Sequence, residues 1–345
     1  MAARLAGKSD VRLPPVSVIV PLAGEVASLR ENLESLASLD YPVYELILVA
    51  RSGADLPAKA VPSASKVVFA GENEAGIEER AWSLLVGLAT ARRVSQVYAF
   101  TDGRGRVATG WLRALVAPLE EGAVGASTGY RWYAPVPPAF WSLMRSVWNA
   151  ALVERMVEAP WAWSGATAIT RTTFDELRLA ERFAEAGAGE TTLTAAVRAG
   201  RRPVVFAPGA MVASTAGVGA REFLIEAVDE MARHRSLGGG RRALWFHLLQ
   251  CGAMAAAIGA SLAGSRLAEW VLVIQFGLIM LKGANRALLA RAMLPAEAAW
   301  FKRHAWVHAL WAPLALWVWL LVLLAHTGAA LQSQHEDRVG GEAQA

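Results

Sequence analysis

The residues of this chain that could do chemistry gather around one stretch, Gln96-Val97-Tyr98-Ala99-Phe100-Thr101-Asp102-Gly103-Arg104-Gly105-Arg106. It reads as a short buried strand, Val97 to Phe100, running into an acidic, Gly-rich turn. A carboxylate at the C-terminal end of a parallel strand sits where open α/β sheets bind nucleotides. Glycines beside it let backbone approach a phosphate closely. The plainer reading, a simple Asp-Gly turn, stands beside it. Asp55 also lies near a strand end, and Asp55 and Asp102 are the candidates for binding a nucleotide-linked donor, which such a strand end can hold. Glu190, at the start of a helix, is the candidate general base, because a carboxylate can take the proton of an acceptor hydroxyl. Each of these acids could instead be a helix cap or a solvated carboxylate.

The elements that must position these residues can be read in order. Val16 to Pro21 is a β-branched run and a first strand. Leu22 to Glu25 is a loop. Leu29, Leu33 and Leu36 recur at helical spacing over Ser28 to Leu39, with Ser28 as N-cap. Asp40-Tyr41-Pro42 stops that helix. Strands follow at Glu45–Val49 and Lys66–Ala70, a helix over about Ile77–Ala91, and then Val97–Phe100. Strands alternating with helices imply a mostly parallel sheet covered on both faces. Gly125 to Trp132 reads as one further strand. Phe140 to Met156 is an aromatic-rich amphipathic helix, resting either in a core or on a bilayer. Trp161 to Ala166 is a tight loop leading into the strand Thr167–Thr170. Thr172 or Thr173 caps a short helix. A helix runs from Glu190 to Ala199, and Pro203–Ala207 is a last strand.

The final third differs in character. Ala220 to Leu237 is an amphipathic helix of the kind that lies in a membrane interface, ended by Gly238-Gly239-Gly240. Three apolar segments follow, at about 243–263, 267–281 and 306–324, each near the roughly 20 residues that cross a bilayer. The middle one is short unless Lys282 snorkels. Lys282, Arg286, Arg291, Lys302 and Arg303 are assigned to the loop after it, which the positive-inside rule places in the cytoplasm. The large N-terminal domain then faces the cytoplasm. The organisation expected is a leader over 1–15, an α/β domain over 16–219, an interfacial helix and hinge over 220–240, a membrane region over 241–327 and a polar tail over 328–345.

Composition bounds the function. The chain has 345 residues, is 54% hydrophobic and carries a formal net charge of +4. Its one cysteine, Cys251, excludes an intramolecular disulfide. No dense basic run alternates with aromatics, so nucleic acid is not an expected partner. A basic excess beside membrane segments meets anionic head groups or a phosphorylated substrate. His304 and His308 have metal-pair spacing, but they open an apolar run and read first as a wet helix end. Few charges fall inside the three spans, which argues against a transporter or channel.

The arrangement resembles the family 2 glycosyltransferases, and within them the ceramide glucosyltransferase-like (hopanoid-associated glycosyltransferase-like) branch. The likeness is carried by Val16 to Pro21, Glu31 to Leu36, Asp40 to Leu46, Phe100-Thr101-Asp102 with Trp111-Leu112, Gly129-Tyr130-Arg131-Trp132 and Trp163 to Ala168. It covers about residues 16–325. It implies a GT-A-type (Rossmann-like), mostly parallel α/β domain followed by an interfacial helix and about three transmembrane helices. It implies an inverting transferase with a nucleotide-sugar donor, foremost a UDP-sugar, and a divalent metal, Mn or Mg. The partners implied are the bilayer and a ceramide- or hopanoid-like lipid acceptor, in a multi-pass protein of a bacterial inner membrane.

The departures from the family pattern bear on the chemistry. The usual Asp-x-Asp reads Asp102-Gly103-Arg104, so Asp102 is the one metal ligand left and Arg104 could hold the diphosphate directly. The family's early Lys is Val20, its later Lys is matched by Arg80, and its paired acids become Gly189-Glu190. Trp163 and Gly165 would shape the sugar pocket; Trp141 and Trp148 would line the lipid approach. The alternative is a catalytically inactive glycosyltransferase-like subunit of a membrane lipid-modifying assembly.

Overall fold

The structure, a computed structural model, describes residues 13–22, 28–73, 75–236 and 240–342. The leader up to residue 12, the loop residues 23–25 and the Leu237-Gly238-Gly239 break lie outside the described residues. The chain divides into two compact units, one of residues up to Arg131 with Pro160–Val212, the other of Trp132–Ala159 with the residues from Ala213 onward.

The first unit is built on seven strands: β1 (Val16–Pro21), β2 (Tyr44–Ala50), β3 (Ser65–Phe69), β4 (Val97–Thr101), β5 (Ala126–Thr128), β6 (Ala166–Thr170) and β7 (Val204–Phe206). Their order across the sheet is β3-β2-β1-β4-β6-β5-β7. β1 runs parallel to β2 and β4, β2 to β3, and β5 to β7. β6 alone runs antiparallel, to both β4 and β5. The mostly parallel sheet expected from the alternating pattern is therefore present.

β1, β4 and most of β2 are buried throughout, as continuous apolar runs in a doubly covered sheet should be. Ile19, Ile47, Val49, Phe100 and Ile169 share a core with Leu84, Phe174 and Phe183 from the helices. Each such side chain contributes about 1.5–3 kcal/mol on burial. The helix Glu79–Ala89 comes unusually near the sheet at Gly87, where a Cβ would lie 2.6 Å from Ile19 Cγ2.

The direction of β6 positions the site. Thr101, the last residue of β4, is opposite Ala166, the first of β6. Thr128, the last of β5, is opposite Thr167. The turn after β4, the segment after β5 and the loop before β6 therefore all emerge at one edge of the sheet.

Some local expectations change. The stretch Gly125 to Trp132 is not one strand but two, Ala126–Thr128 and Arg131–Tyr133. The break falls at Gly129, whose Cα lies so near a neighbouring segment that a Cβ would sit 1.8 Å from the Ala210 carbonyl oxygen. Ser28 precedes its helix with φ 57° and makes no capping hydrogen bond. Thr170, rather than Thr172 or Thr173, caps the short helix Arg171–Glu176 by accepting from the Thr173 N–H.

The second unit is helical. Three of its helices contain stretches long and apolar enough to cross a membrane: Trp245–Leu262, Arg266–Met293 and Ala305–Leu324. The middle one is 28 residues long, not the short segment read from hydropathy. Lys282, Arg286 and Arg291 belong to that helix rather than to a loop, because no proline falls between Leu281 and Pro295 and the one glycine, Gly283, is accommodated. Gly283 brings this helix against the next: a Cβ there would be 2.1 Å from the His308 carbonyl oxygen. His308 is consequently buried, with a ring nitrogen 3.4 Å from Ser146 Oγ, and is not a wet helix end.

Candidate active site

Asp102 directly follows β4. The turn behind it is held from below. Gly103 has φ +65°, which favours glycine, and its carbonyl accepts from the Asn32 side-chain amide at 2.9 Å. Asn32 comes from the helix Leu29–Ala37 that follows β1. The Asp102 carboxylate is thereby fixed, and both its oxygens are engaged. Oδ1 accepts from the Arg104 backbone N–H at 3.0 Å, and Oδ2 accepts from Arg131 Nη2 at 2.5 Å. Burial disfavours the charged form of Asp102. The guanidinium groups of Arg131 and Arg80, with the Arg104 N–H and charge, outweigh burial and hold the carboxyl below its usual range.

Arg131 lies just beyond β5. Its guanidinium carbon is 5.0 Å from the centre of the Trp163 ring, a cation–π distance. Trp163 is itself immobilised. Its backbone N–H donates to Thr128 Oγ1 at 3.0 Å, and its backbone carbonyl accepts from Thr167 Oγ1 at 2.6 Å. Tyr130 meets the rings of Trp161 and Trp163 edge-on.

Glu190 opens the helix Glu190–Ala199, where the positive end of the helix favours a carboxylate. It is buried, with two neutral donors among its partners. Oε2 accepts from Trp161 Nε1–H at 3.2 Å, and Oε1 accepts from the Ser164 hydroxyl at 3.3 Å. Arg80 joins the acids: its Nη2 donates to the Ser164 carbonyl at 2.5 Å. Burial lowers the Arg80 pKa, against the opposing charges of Asp102, Glu78 and Glu190. Glu78 holds the start of Arg80's helix by accepting from the Arg80 and Ala81 N–H groups.

Arg80, Asp102 and Glu190 thus form one electrostatic cluster, and Arg104, with an exposed side chain, is part of it. Gly165 lies at the same edge against Trp163. Asp55 follows β2 and is exposed; its Oδ2 accepts from the Ser52 N–H and hydroxyl, closing a local capping box. Trp141 and Trp148 belong to the second unit. Trp141 is part-exposed and packs on Phe140 and Phe223, whereas Trp148 is buried against Phe223.

Three participants were not assigned roles from sequence: Arg131, Trp161 and Ser164. Arg131 and Ser164 stand inside the blocks Gly129-Tyr130-Arg131-Trp132 and Trp163-Ser164-Gly165, and Trp161 just precedes the latter. Their partners are 29, 29 and 26 residues away in sequence, so no local spacing marks them.

Residues 2–159 match the family model of glycosyl transferase family 21. That stretch, just under half of the chain, is similar to a glycosyltransferase. Among solved structures, the chain is similar to a mannosyltransferase from Pyrobaculum calidifontis in complex with GDP-mannose and Mn2+, at 20% identity over 96% of this chain and 92% of that one, with a TM-score of 0.49. It is also similar to glucosyl-3-phosphoglycerate synthase from Mycobacterium tuberculosis in complex with Mn2+ and UDP-glucose, at 18% identity over 68% of this chain and 81% of that one, with a TM-score of 0.39.

The described residues around Asp102 do not offer a divalent cation a ready site. The Asp102 oxygens are both engaged, and Arg104, two residues on, brings a cation to the same turn rather than a second carboxylate. Among the described residues, no three His, Cys, Asp or Glu side chains converge as metal ligands.

Proposed function

We propose that the chain is an inverting, membrane-anchored glycosyltransferase that moves a sugar from a nucleotide-sugar, foremost a UDP-sugar, to the hydroxyl of a ceramide- or hopanoid-like lipid. The observation that carries this reading is Glu190, a buried carboxylate held by Trp161 and Ser164 in one cluster with Asp102 and the guanidinium groups. Glu190 takes the proton of the acceptor hydroxyl. The acceptor oxygen forms its bond to the anomeric carbon as the bond to the diphosphate oxygen breaks, and the electron pair leaves on the diphosphate. Arg104 and Arg80 stabilise that charge. Asp55 contacts the nucleoside, its Oδ1 being uncommitted among the described residues. Trp163 and Gly165 form the wall against the sugar.

Three apolar helices support an anchor in a bilayer, in this reading the inner membrane of a bacterium with the glycosyltransferase domain in the cytoplasm. Part-exposed Trp141 is retained as a lipid contact; buried Trp148 is a packing residue. The loss of the second acid at Arg104 favours one other reading, a subunit that keeps the fold without turnover. Purified protein in nanodiscs made from a bacterial lipid extract, supplied with radiolabelled UDP-hexoses, should place label in the lipid phase and release UDP. Neither product with any nucleotide-sugar would favour the subunit reading.

A further inference from the structure

We propose that Asp102 is a positioning residue for Arg131, and that guanidinium groups take the part of a divalent cation at the donor diphosphate. This rests on the reading of the site as a nucleotide-sugar site. Three observations carry it. The Asp102 oxygens are divided between two N–H donors, one on the turn and one on Arg131. Arg131 is held in place from its other side by the Trp163 ring. Arg104, on the same turn as Asp102, presents an exposed guanidinium, and buried Arg80 adds its charge to the cluster.

A cation approaching Asp102 would have to displace Arg131 from Oδ2 and would meet a carboxylate whose charge Arg131, Arg80 and Arg104 already offset. A diphosphate meets the opposite situation. Its charge is met by Arg131 and Arg80, which the fold holds in place, and by exposed Arg104, and a guanidinium binds two phosphate oxygens at once. Asp102 keeps Arg131 from swinging away, as a carboxylate does for a cation it pairs at close range.

The test is calorimetric titration of the full-length, detergent-purified protein with UDP, once in EDTA and once with Mn2+, repeated with GDP. The same Kd is expected in both conditions. Arg104→Gln, at an exposed position, should weaken binding about tenfold in EDTA, the loss of one charge-assisted contact, with no recovery on adding Mn2+. Asp102→Asn should weaken binding by the same factor with and without Mn2+, where a metal ligand would lose only the Mn2+-dependent part. Binding seen only with Mn2+ would overturn the inference and leave the donor site standing. Binding of neither nucleotide in either condition would overturn both.

Discussion

Gly165 lies against the indole of Trp163 so closely that a Cβ at position 165 would be 2.1 Å from the ring carbon Cη2. The contact sets the plane of a ring that Arg131 covers on one face and Tyr130 meets at its edge. Gly165→Ala must therefore tilt Trp163 and loosen Arg131. Overpacking of this kind costs about 1–3 kcal/mol. A lower Tm in detergent, with weaker UDP binding, is expected; an unchanged Tm would show that Trp163 is free to move.

Gly129 is constrained more severely, because its neighbour is backbone. A Cβ there would be 1.8 Å from Ala210 O and 2.8 Å from Ala210 C. Gly129→Ala should cost at least as much as Gly165→Ala, about 3 kcal/mol, and should reduce the yield of folded protein measured by size-exclusion chromatography.

These two glycines show how differently the fold and the site can be read from sequence. β1 and β4 are evident in Val16 to Pro21 and Val97 to Phe100, since a buried parallel strand is a continuous apolar run. Asp102 and Glu190 are evident because they stand at element ends. Arg131 is not, because its meaning comes from Asp102, which the antiparallel entry of β6 and the return of β5 bring to the same edge. Sequence places the cap of the helix after β6 two or three residues too late for a local reason: Thr170, Thr172 and Thr173 all offer hydroxyls, and only backbone geometry selects Thr170. Hydropathy ends the middle apolar segment at Lys282, whereas the helix runs on to Met293 because no proline interrupts it before Pro295.

Trp161→Phe keeps an aromatic ring and removes the N–H that Glu190 Oε2 accepts. Losing one such hydrogen bond costs about 1 kcal/mol. A drop in kcat of about fivefold with little change in the donor KM is expected. A change confined to KM would place Glu190 in donor binding rather than in proton transfer.

The second unit contains a partly buried ion cluster. Glu154, on the helix Phe140–Glu158, accepts from Arg286 at 3.0 and 2.9 Å and lies 3.0 Å from Lys282. Burial raises the Glu154 pKa, but Arg286 and Lys282 together more than offset it, and the carboxyl sits below its usual range. A depressed pKa means stability that is present at neutral pH and lost as pH falls through the folded-state value. The wild-type Tm should therefore fall on acidification below the ordinary carboxylate range, and Glu154→Gln should be less stable at neutral pH and less sensitive to acid. Parallel pH profiles for the two proteins would remove Glu154 from the stability of this unit.

Glu190 is the centre of the account, and Glu190→Gln tests it most directly, since glutamine fills the same space and cannot take a proton. The measurement is transfer of radiolabel from a nucleotide-sugar into the lipid phase, made beside UDP titration of the same preparation. Loss of transfer by at least two orders of magnitude, the scale of general-base catalysis, with UDP binding retained, is the predicted result. Transfer by Glu190→Gln at the wild-type rate would contradict it.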